Sequence, residues 1–142
     1  MYTVLLAVDK EQRNVQKLAD VVIDFPGSPE EKKAVIVNVE REFDTPDEGE
    51  RVSSEDMFDA SNIPKSVTMV KERLDSAGIE TTIRREHGEP SDKILEIADV
   101  IDADNIVIGG KKRSPAGKAL FGSVTQSVIL EAERPVTVIQ RE

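Results

Sequence analysis

The chain has 142 residues, of which 38% are hydrophobic and 33% charged, so it has the size and the apolar content of one domain. It has no cysteine and one histidine, which excludes disulfides and leaves little for a zinc site. A net charge of −9 disfavours non-specific binding to nucleic acids or to anionic membranes. No apolar run approaches the roughly 18 residues that cross a bilayer, and the first residues lack the pattern of a signal peptide. We therefore expect a cytoplasmic protein with a single domain over residues 1–142 and no nucleic-acid or membrane partner.

Apolar, β-branched runs alternate along the chain with amphipathic stretches of helical length. In chain order we predict a strand over residues 3–8, a helix over 15–24, a strand over 34–39, a helix over 64–77, a strand over 80–85, a helix over 91–101, a strand over 105–108, a helix over 124–133 and a strand over 135–139. Gly78 is placed to end a helix, and Pro90 to occupy the first turn of the next one. Ser123, followed three residues later by Gln126, has the pattern of a capping box, which predicts a helix start at Ser123.

Strands of this kind, alternating with helices, indicate a parallel sheet covered on both faces. With right-handed crossovers the fold is a doubly wound, three-layer α/β domain with an open five-stranded sheet in the order 3-2-1-4-5 and four main helices. The third strand is the most polar and is predicted at an edge. In such sheets, ligands bind beyond the carboxyl ends of the strands where the strand order reverses, here between strands one and four.

The segment from residue 41 to 59 is long, acidic and loop-like. Loops of this length in compact domains are commonly functional covers or disordered. We favour a mobile, solvated flap over an ordered ligand clamp.

The segment that follows the fourth strand combines three features of a phosphate site. Gly109 and Gly110 permit a close approach of the backbone to a ligand or a turn with positive φ. Gly122 and Ser123 open a helix whose free N–H groups favour an anion. Positive charge is concentrated between these glycines, at Lys111, Lys112, Arg113 and Lys118. A flexible basic loop before a capped helix is the alternative.

Two common nucleotide motifs are absent from the sequence. A Walker A loop would have a glycine at position 112 and a Ser or Thr at position 119, where the chain has Lys112 and Ala119. The turn after the first strand has no glycine, which argues against a Rossmann fingerprint. Hydrolysis by a P-loop and dinucleotide redox chemistry both lose support.

The spacing of Gly109, Lys112 and Gly122-Ser123 resembles the universal stress protein family. Nucleotide-binding members of that family carry a glycine, two residues, a second glycine, nine residues and then Gly-Ser or Gly-Thr. Lys112 stands at the second glycine position. The remaining matches cover nearly the whole chain: Ala7-Val8-Asp9 at the end of the first strand, His87-Gly88-Glu89-Pro90 before a helix, and Arg134-Pro135-Val136 at the last strand.

The resemblance implies a regulatory module of the stress response that binds ATP, with or without magnesium, at the carboxyl ends of strands 1, 2 and 4. Adenine and ribose would contact the ends of strands one and two, and the phosphates would lie against the glycine segment and the following helix. The implied binding residues are Ala7, Asp9, Val39, Gly109, Gly110, Lys111, Lys112, Arg113, Gly122, Ser123, Val124 and Thr125. Lys112 either crowds the phosphates or turns outward and grips them.

Single residues leave several alternatives open. Asp9 could bind ribose hydroxyls or hold magnesium through water, or it could cap the following helix. No base is identifiable beside Ser123, so no residue is assigned as catalytic. His87 is interpreted as a surface turn residue and Phe121 as core packing. A weaker hypothesis is a phosphotransfer or hydrolytic enzyme that uses Asp9.

The last strand is apolar and lies at the predicted sheet edge, which invites pairing with another chain. Universal stress proteins are similar in commonly forming dimers through this strand, so a homodimer through Val136–Ile139 is expected. The alternative is an edge shielded by residues 140–142. The second function that we consider is a dimeric stress-response interaction protein that does not bind nucleotides.

Overall fold

The computed structural model describes residues 1–41, 63–110 and 121–139, and strands alternate with helices through these ranges. The strands are β1 (Tyr2–Ala7), β2 (Lys32–Glu40), β3 (Glu80–His87), β4 (Asn105–Gly109) and β5 (Val136–Ile139). The α-helices are α1 (Val15–Asp24), α2 (Lys65–Ser76), α3 (Pro90–Val100) and α4 (Ser123–Glu131). No helix in the described ranges is long and apolar enough to cross a membrane.

The five strands form one parallel sheet in the order β3-β2-β1-β4-β5, which confirms the predicted α/β fold and strand order. β1 lies at the centre, with β2 on one side and β4 on the other. The sheet has a buried apolar cluster on each face. Leu6 and Ile36 pack with α1 and α2 on one face, whereas Leu5, Val35 and Ile106 pack with α3 and α4 on the other.

The helix ends at the amino-terminal edge of the sheet are closed by cations. Lys32 is only 2% exposed, and its Nζ donates to the carbonyls of Val22 at 3.1 Å and Ile23 at 2.7 Å, at the end of α1. Arg134 donates to the carbonyl of Ala103 at 2.6 Å, just beyond the end of α3. A positive charge at a helix C-terminus is favourable, because the last carbonyls of a helix carry partial negative charge.

Two predicted helix boundaries are confirmed in detail. Gly78 has a φ of 83° directly after the C-cap of α2, where a left-handed residue ends a helix at low cost in glycine. The N–H of Ile79 donates to the carbonyl of Leu74 at 3.1 Å, which completes the terminal turn. Pro90 is the first residue of α3, where its missing N–H has no helical partner to lose.

Three local predictions are wrong. The helix α4 starts at Ser123 as predicted, but the capping-box role of Ser123 is wrong, because Gly122 is the N-cap in an extended conformation and its carbonyl accepts the N–H of Gln126 at 3.0 Å. His87 is no surface turn residue: β2 runs as far as Glu40, so β3 extends beside it and pairs His87 with Glu40. Phe121 is 42% exposed and does not belong to the core.

Candidate functional site

A crevice of about 740 Å³ opens at the carboxyl ends of β1, β2 and β4. It lies where the strand order reverses, because β1 pairs with β2 on one side and with β4 on the other. Nine of the twelve residues expected at the site line this crevice: Ala7, Asp9, Val39, Gly109, Gly110, Gly122, Ser123, Val124 and Thr125. The other three, Lys111, Lys112 and Arg113, lie outside the described residues, as do Lys118, the acidic residues 42–59 and residues 140–142.

In the turn after β1, the Asp9 side chain is exposed to solvent, whereas the Asp9 carbonyl is held by two hydrogen bonds. The Asp9 carbonyl accepts the Ser66 hydroxyl at 2.7 Å and the Gln12 N–H at 3.0 Å. The N-cap of α1 is Asn14, in a left-handed conformation with a φ of 56°. Asp9 therefore does not cap the helix, and its carboxylate is exposed at the crevice.

The main chain of Val39 faces the crevice beyond the end of β1. Residues two apart in a strand direct their N–H and C=O groups to the same side. The Val37 carbonyl accepts the Val8 N–H at 3.0 Å, so Val37 and Val39 both face the β1 side, and the pairing of β1 with β2 stops at Ala7 and Val37. A peptide donor and acceptor at this place match the ring-nitrogen acceptor and amino donor of an adenine edge.

Gly109 and Gly110 are distinguished by close contacts and not by backbone conformation, since neither has a positive φ. A Cβ on Gly109 would lie 2.6 Å from Nε2 of Gln12, and one on Gly110 would lie 3.2 Å from a ring carbon of Phe121. The Gly109 carbonyl accepts the hydroxyl of the buried Thr125 at 2.9 Å. That bond fixes the end of β4 against the first turn of α4.

Gln12 is a crevice residue that the sequence analysis missed. Its carboxamide lies across the face of Gly109, in the space that a side chain would otherwise occupy. Nε2 donates to the Arg13 carbonyl at 3.3 Å, a long bond that leaves the group easy to displace. Only the topology could have indicated it, because the strand order brings the turn after β1 against the end of β4.

All four helices begin at this edge of the sheet, and the two on the face of α3 and α4 differ at their N-termini. At α3 the Glu89 carboxylate accepts the Ser91 hydroxyl at 2.7 Å and the N–H groups of Ser91 and Asp92 at 3.0 and 3.3 Å. At α4 the N-cap is Gly122, and no side-chain cap is present among the described residues. The first turn of α4, at Ser123 and Val124, lines the crevice, so its N–H groups can receive an anion.

The pKa of Glu89 is lowered, first because the Ser91 hydroxyl donates to its carboxylate. The N–H groups of Asp92 and Ser91 and the charge of Arg41 lower it further, whereas partial burial acts in the opposite direction. The α3 N-terminus is therefore already occupied by a negative charge of the chain itself. The described residues contain no group of three or more His, Asp or Glu side chains that could hold a metal ion.

Comparisons with known proteins identify a family that matches nearly the whole chain, together with similar proteins and solved structures. The model of the universal stress protein family matches residues 1–140. A universal stress protein of Mycolicibacterium smegmatis is 36% identical over 72 residues, covering 50% of this chain and 55% of that protein. The structure of a universal stress protein from Archaeoglobus fulgidus is similar with a TM-score of 0.70 and 29% identity, covering 98% of each chain.

A further structure of the universal stress protein from Archaeoglobus fulgidus, in complex with dAMP, is similar with a TM-score of 0.66 and 25% identity over 98% of each chain. The chain spans about half the length of the curated relatives it matches. A family model matched over nearly every residue and the same fold in solved members lead to one conclusion: the chain belongs to the universal stress protein family.

Proposed function

We propose that this protein binds an adenine nucleotide, ATP in particular, in the crevice and acts as a regulatory module of the stress response. The observation that carries the proposal is the uncapped N-terminus of α4, which faces the same crevice as the main chain of Val39. One end of the crevice thus offers a peptide edge for a base, and the other offers N–H groups for phosphates.

Each part of the ligand has a place in the proposal. The base lies along Val39, and the ribose hydroxyls bind the exposed carboxylate of Asp9 beside Ala7. The phosphates lie over Gly109 and Gly110, against Ser123, Val124 and Thr125 of the first turn of α4, with Gly122 at its cap. Lys111, Lys112 and Arg113 of the expected set adjoin this region in sequence and bring positive charge to the phosphates.

A related structure supports the choice of ligand class. The universal stress protein from Archaeoglobus fulgidus was solved in complex with dAMP, which carries the same base and one phosphate. Magnesium fits the proposal only together with the nucleotide. Mg²⁺ is commonly held by one or two carboxylates and by substrate phosphates, and Asp9 is the carboxylate at the end of β1 that faces the crevice.

Titration calorimetry of the protein with ATP, with and without magnesium, tests the proposal. We expect saturable binding of one ATP per chain and weaker binding of GTP, whose base edge presents a carbonyl where adenine presents an amino group. The Asp9→Asn variant keeps the size of the side chain and weakens ATP binding. No binding of ATP, AMP or dAMP to the purified protein would contradict the proposal.

We further propose that the chain forms a homodimer through β5. Ile106 N–H donates to the carbonyl of Pro135, and Gly110 N–H donates to that of Ile139, so the main chain of these residues faces β4. By the alternation of a strand, the main-chain groups of Val136 and Val138 face away from the sheet. Leu130 of α4 is 74% exposed, so the described part of the chain also presents apolar surface outside the sheet.

The Val138→Pro variant tests the dimer, because proline removes an N–H that faces outward and leaves the bonds to β4 intact. We expect sedimentation velocity to show a dimer for the wild type and a monomer for Val138→Pro. Val138→Ala, which keeps the N–H, is the control and stays dimeric. A monomeric wild type, or a Val138→Pro variant that still dimerises, would contradict a dimer through β5.

A dimer through β5 that binds no nucleotide is the second candidate function. The exposed apolar side chains of α4, Ile129 at 37% and Leu130 at 74%, are the observation that favours an interaction surface. The calorimetric titration and the sedimentation measurement together distinguish the two functions, because a dimer without nucleotide binding supports only this one.

A further inference from the structure

The ladder between β1 and β2 stops one bond early. Val8 N–H donates to the Val37 carbonyl at 3.0 Å, which is one half of a regular parallel bridge. The other half would be a bond from Val39 N–H to the Val8 carbonyl. The described main-chain bonds of Val8 do not include it, and β1 ends at Ala7.

The side chain of Asn38 takes the place of that missing bond. Its Nδ2 donates to the Val8 carbonyl at 2.9 Å, and the residue is 1% exposed. The carboxamide orientation is fixed, since only the amino group can donate to a carbonyl. Oδ1 of Asn38 is buried and has no hydrogen-bond partner among the described residues. Within the described part of the chain, the fold thus retains a buried acceptor without a partner beside the crevice.

A hydrogen-bond arrangement with this cost indicates a role in function. From it we infer that Asn38 is a positioning residue: its side chain occupies the Val8 carbonyl so that the N–H of Val39 stays open to the ligand base. The inference rests on the proposed function, since the ligand is the adenine base that the crevice is proposed to bind. In this role Asn38 acts through the main chain of the next residue and not through a contact of its own with the ligand.

The inference predicts the behaviour of a single amide in the unliganded protein. The amide of Val37 lies within the paired part of β2, so we expect it to be protected from hydrogen exchange. We expect the Val39 amide to exchange at least tenfold faster, and to become protected when ATP is added. A Val39 amide as well protected as that of Val37 before any ligand is present would overturn the inference without the use of a variant.

The Asn38→Leu variant removes the amide donor at nearly constant volume. We expect the Val39 N–H to close onto the Val8 carbonyl, so that its exchange slows in the absence of ligand. The affinity for ATP then falls about tenfold or more, whereas the affinity for inorganic tripolyphosphate, which has no base, stays the same.

A matched control lies at the other end of the sheet. Asn105 is also buried at 8%, and its Nδ2 donates to the hydroxyl of Tyr2 at 3.3 Å, far from the crevice. Asn105→Leu makes the same chemical change and leaves the Val39 amide and the affinity for ATP unchanged. Equal losses of ATP affinity in Asn38→Leu and Asn105→Leu would show that the substitution acts through the stability of the fold. That result would overturn the positioning role of Asn38.

The outcomes separate this inference from the proposed function. A wild type that binds no adenine nucleotide contradicts the proposed function, and the inference with it. A wild type that binds ATP, together with an Asn38→Leu variant that binds it equally well, overturns the inference alone. A parallel loss of affinity for ATP and for tripolyphosphate also overturns the inference, because the substitution would then have affected more than the contact with the base.

Discussion

The helices α3 and α4 both begin at the carboxyl-terminal edge of the sheet, but only one N-terminus is left open. The Glu89 carboxylate fills the first turn of α3 at 2.7–3.3 Å, whereas Gly122 brings no side chain to the first turn of α4. A helix N-terminus favours a negative group in either case. Of these two helices on the same face of the sheet, α3 has an anion of the chain itself at its N-terminus, whereas α4 leaves its first turn free for the phosphates that are proposed to bind.

Converting the open N-terminus into a closed one is expected to have the largest effect. Gly122 has a φ of −72°, so Gly122→Asp meets no backbone strain and places a carboxylate where α3 has Glu89. Since hydrogen bonds to charged groups contribute about 1.5–3 kcal/mol, we expect the ATP affinity to fall roughly 10- to 100-fold. Calorimetry measures the change. Gly122→Asn, with the same size and no charge, is the control, and an equal loss in both variants would refute competition between charges.

A smaller effect on the affinity for ATP is expected from a substitution at Gly109, which lines the crevice. A Cβ on Gly109 would lie 2.6 Å from Nε2 of Gln12, so Gly109→Ala pushes that carboxamide into the crevice. We expect a loss of ATP affinity of about tenfold, which corresponds to ~1.4 kcal/mol. The double variant Gly109→Ala, Gln12→Ala removes the conflict and restores most of the affinity. If the double variant binds as weakly as Gly109→Ala, the glycine contacts the ligand directly.

The smallest effect is expected at the closed N-terminus. Glu89→Gln weakens a charged cap, so we expect the free energy of unfolding to fall by about 1 kcal/mol at pH 7, with ATP affinity unchanged. Because the pKa of Glu89 is lowered in the folded state, its stabilisation is present above the unfolded pKa of about 4.3 and is lost as the pH falls through the folded pKa.

Denaturant unfolding of both proteins between pH 7 and pH 2 measures this difference. The two curves converge at the acidic end, where the wild-type carboxyl is also protonated. Glu96→Gln, on the same helix, is the control and changes the stability by less than about 0.5 kcal/mol, since its pair with Lys93 at 3.4 Å is exposed. A difference between wild type and Glu89→Gln that persists unchanged at pH 2 would refute a role for the carboxylate charge.

Much of the fold could be predicted because the sheet is buried on both faces. Strands such as β1 and β2 are apolar nearly throughout, and the helices between them have apolar residues at helical spacing, as Val15, Leu18 and Val22 do in α1. Strand order followed from the rules of right-handed crossovers. The position of the crevice followed from that order, with no knowledge of any side chain.

The details that the sequence did not indicate depend on how distant segments meet. The Gln12 carboxamide can lie where it does only because Gly109, 97 residues further along the chain, has no side chain that would occupy the same space. The role of Asn38 depends on where β1 stops relative to β2, which no local pattern contains. His87 was assigned to a turn because the glycine after it obscured how far β3 follows β2.

Nuclear magnetic resonance tests whether nucleotide phosphates bind at α4 and not at α3. ATP is titrated into the uniformly ¹⁵N-labelled protein, and the backbone amides of the two helix N-termini are followed. We expect large shifts at Ser123, Val124 and Thr125 and none at Ser91 and Asp92 beyond those of the remaining surface. Shifts at the α3 amides with an unchanged α4, or no shifts at either helix, would contradict binding at α4.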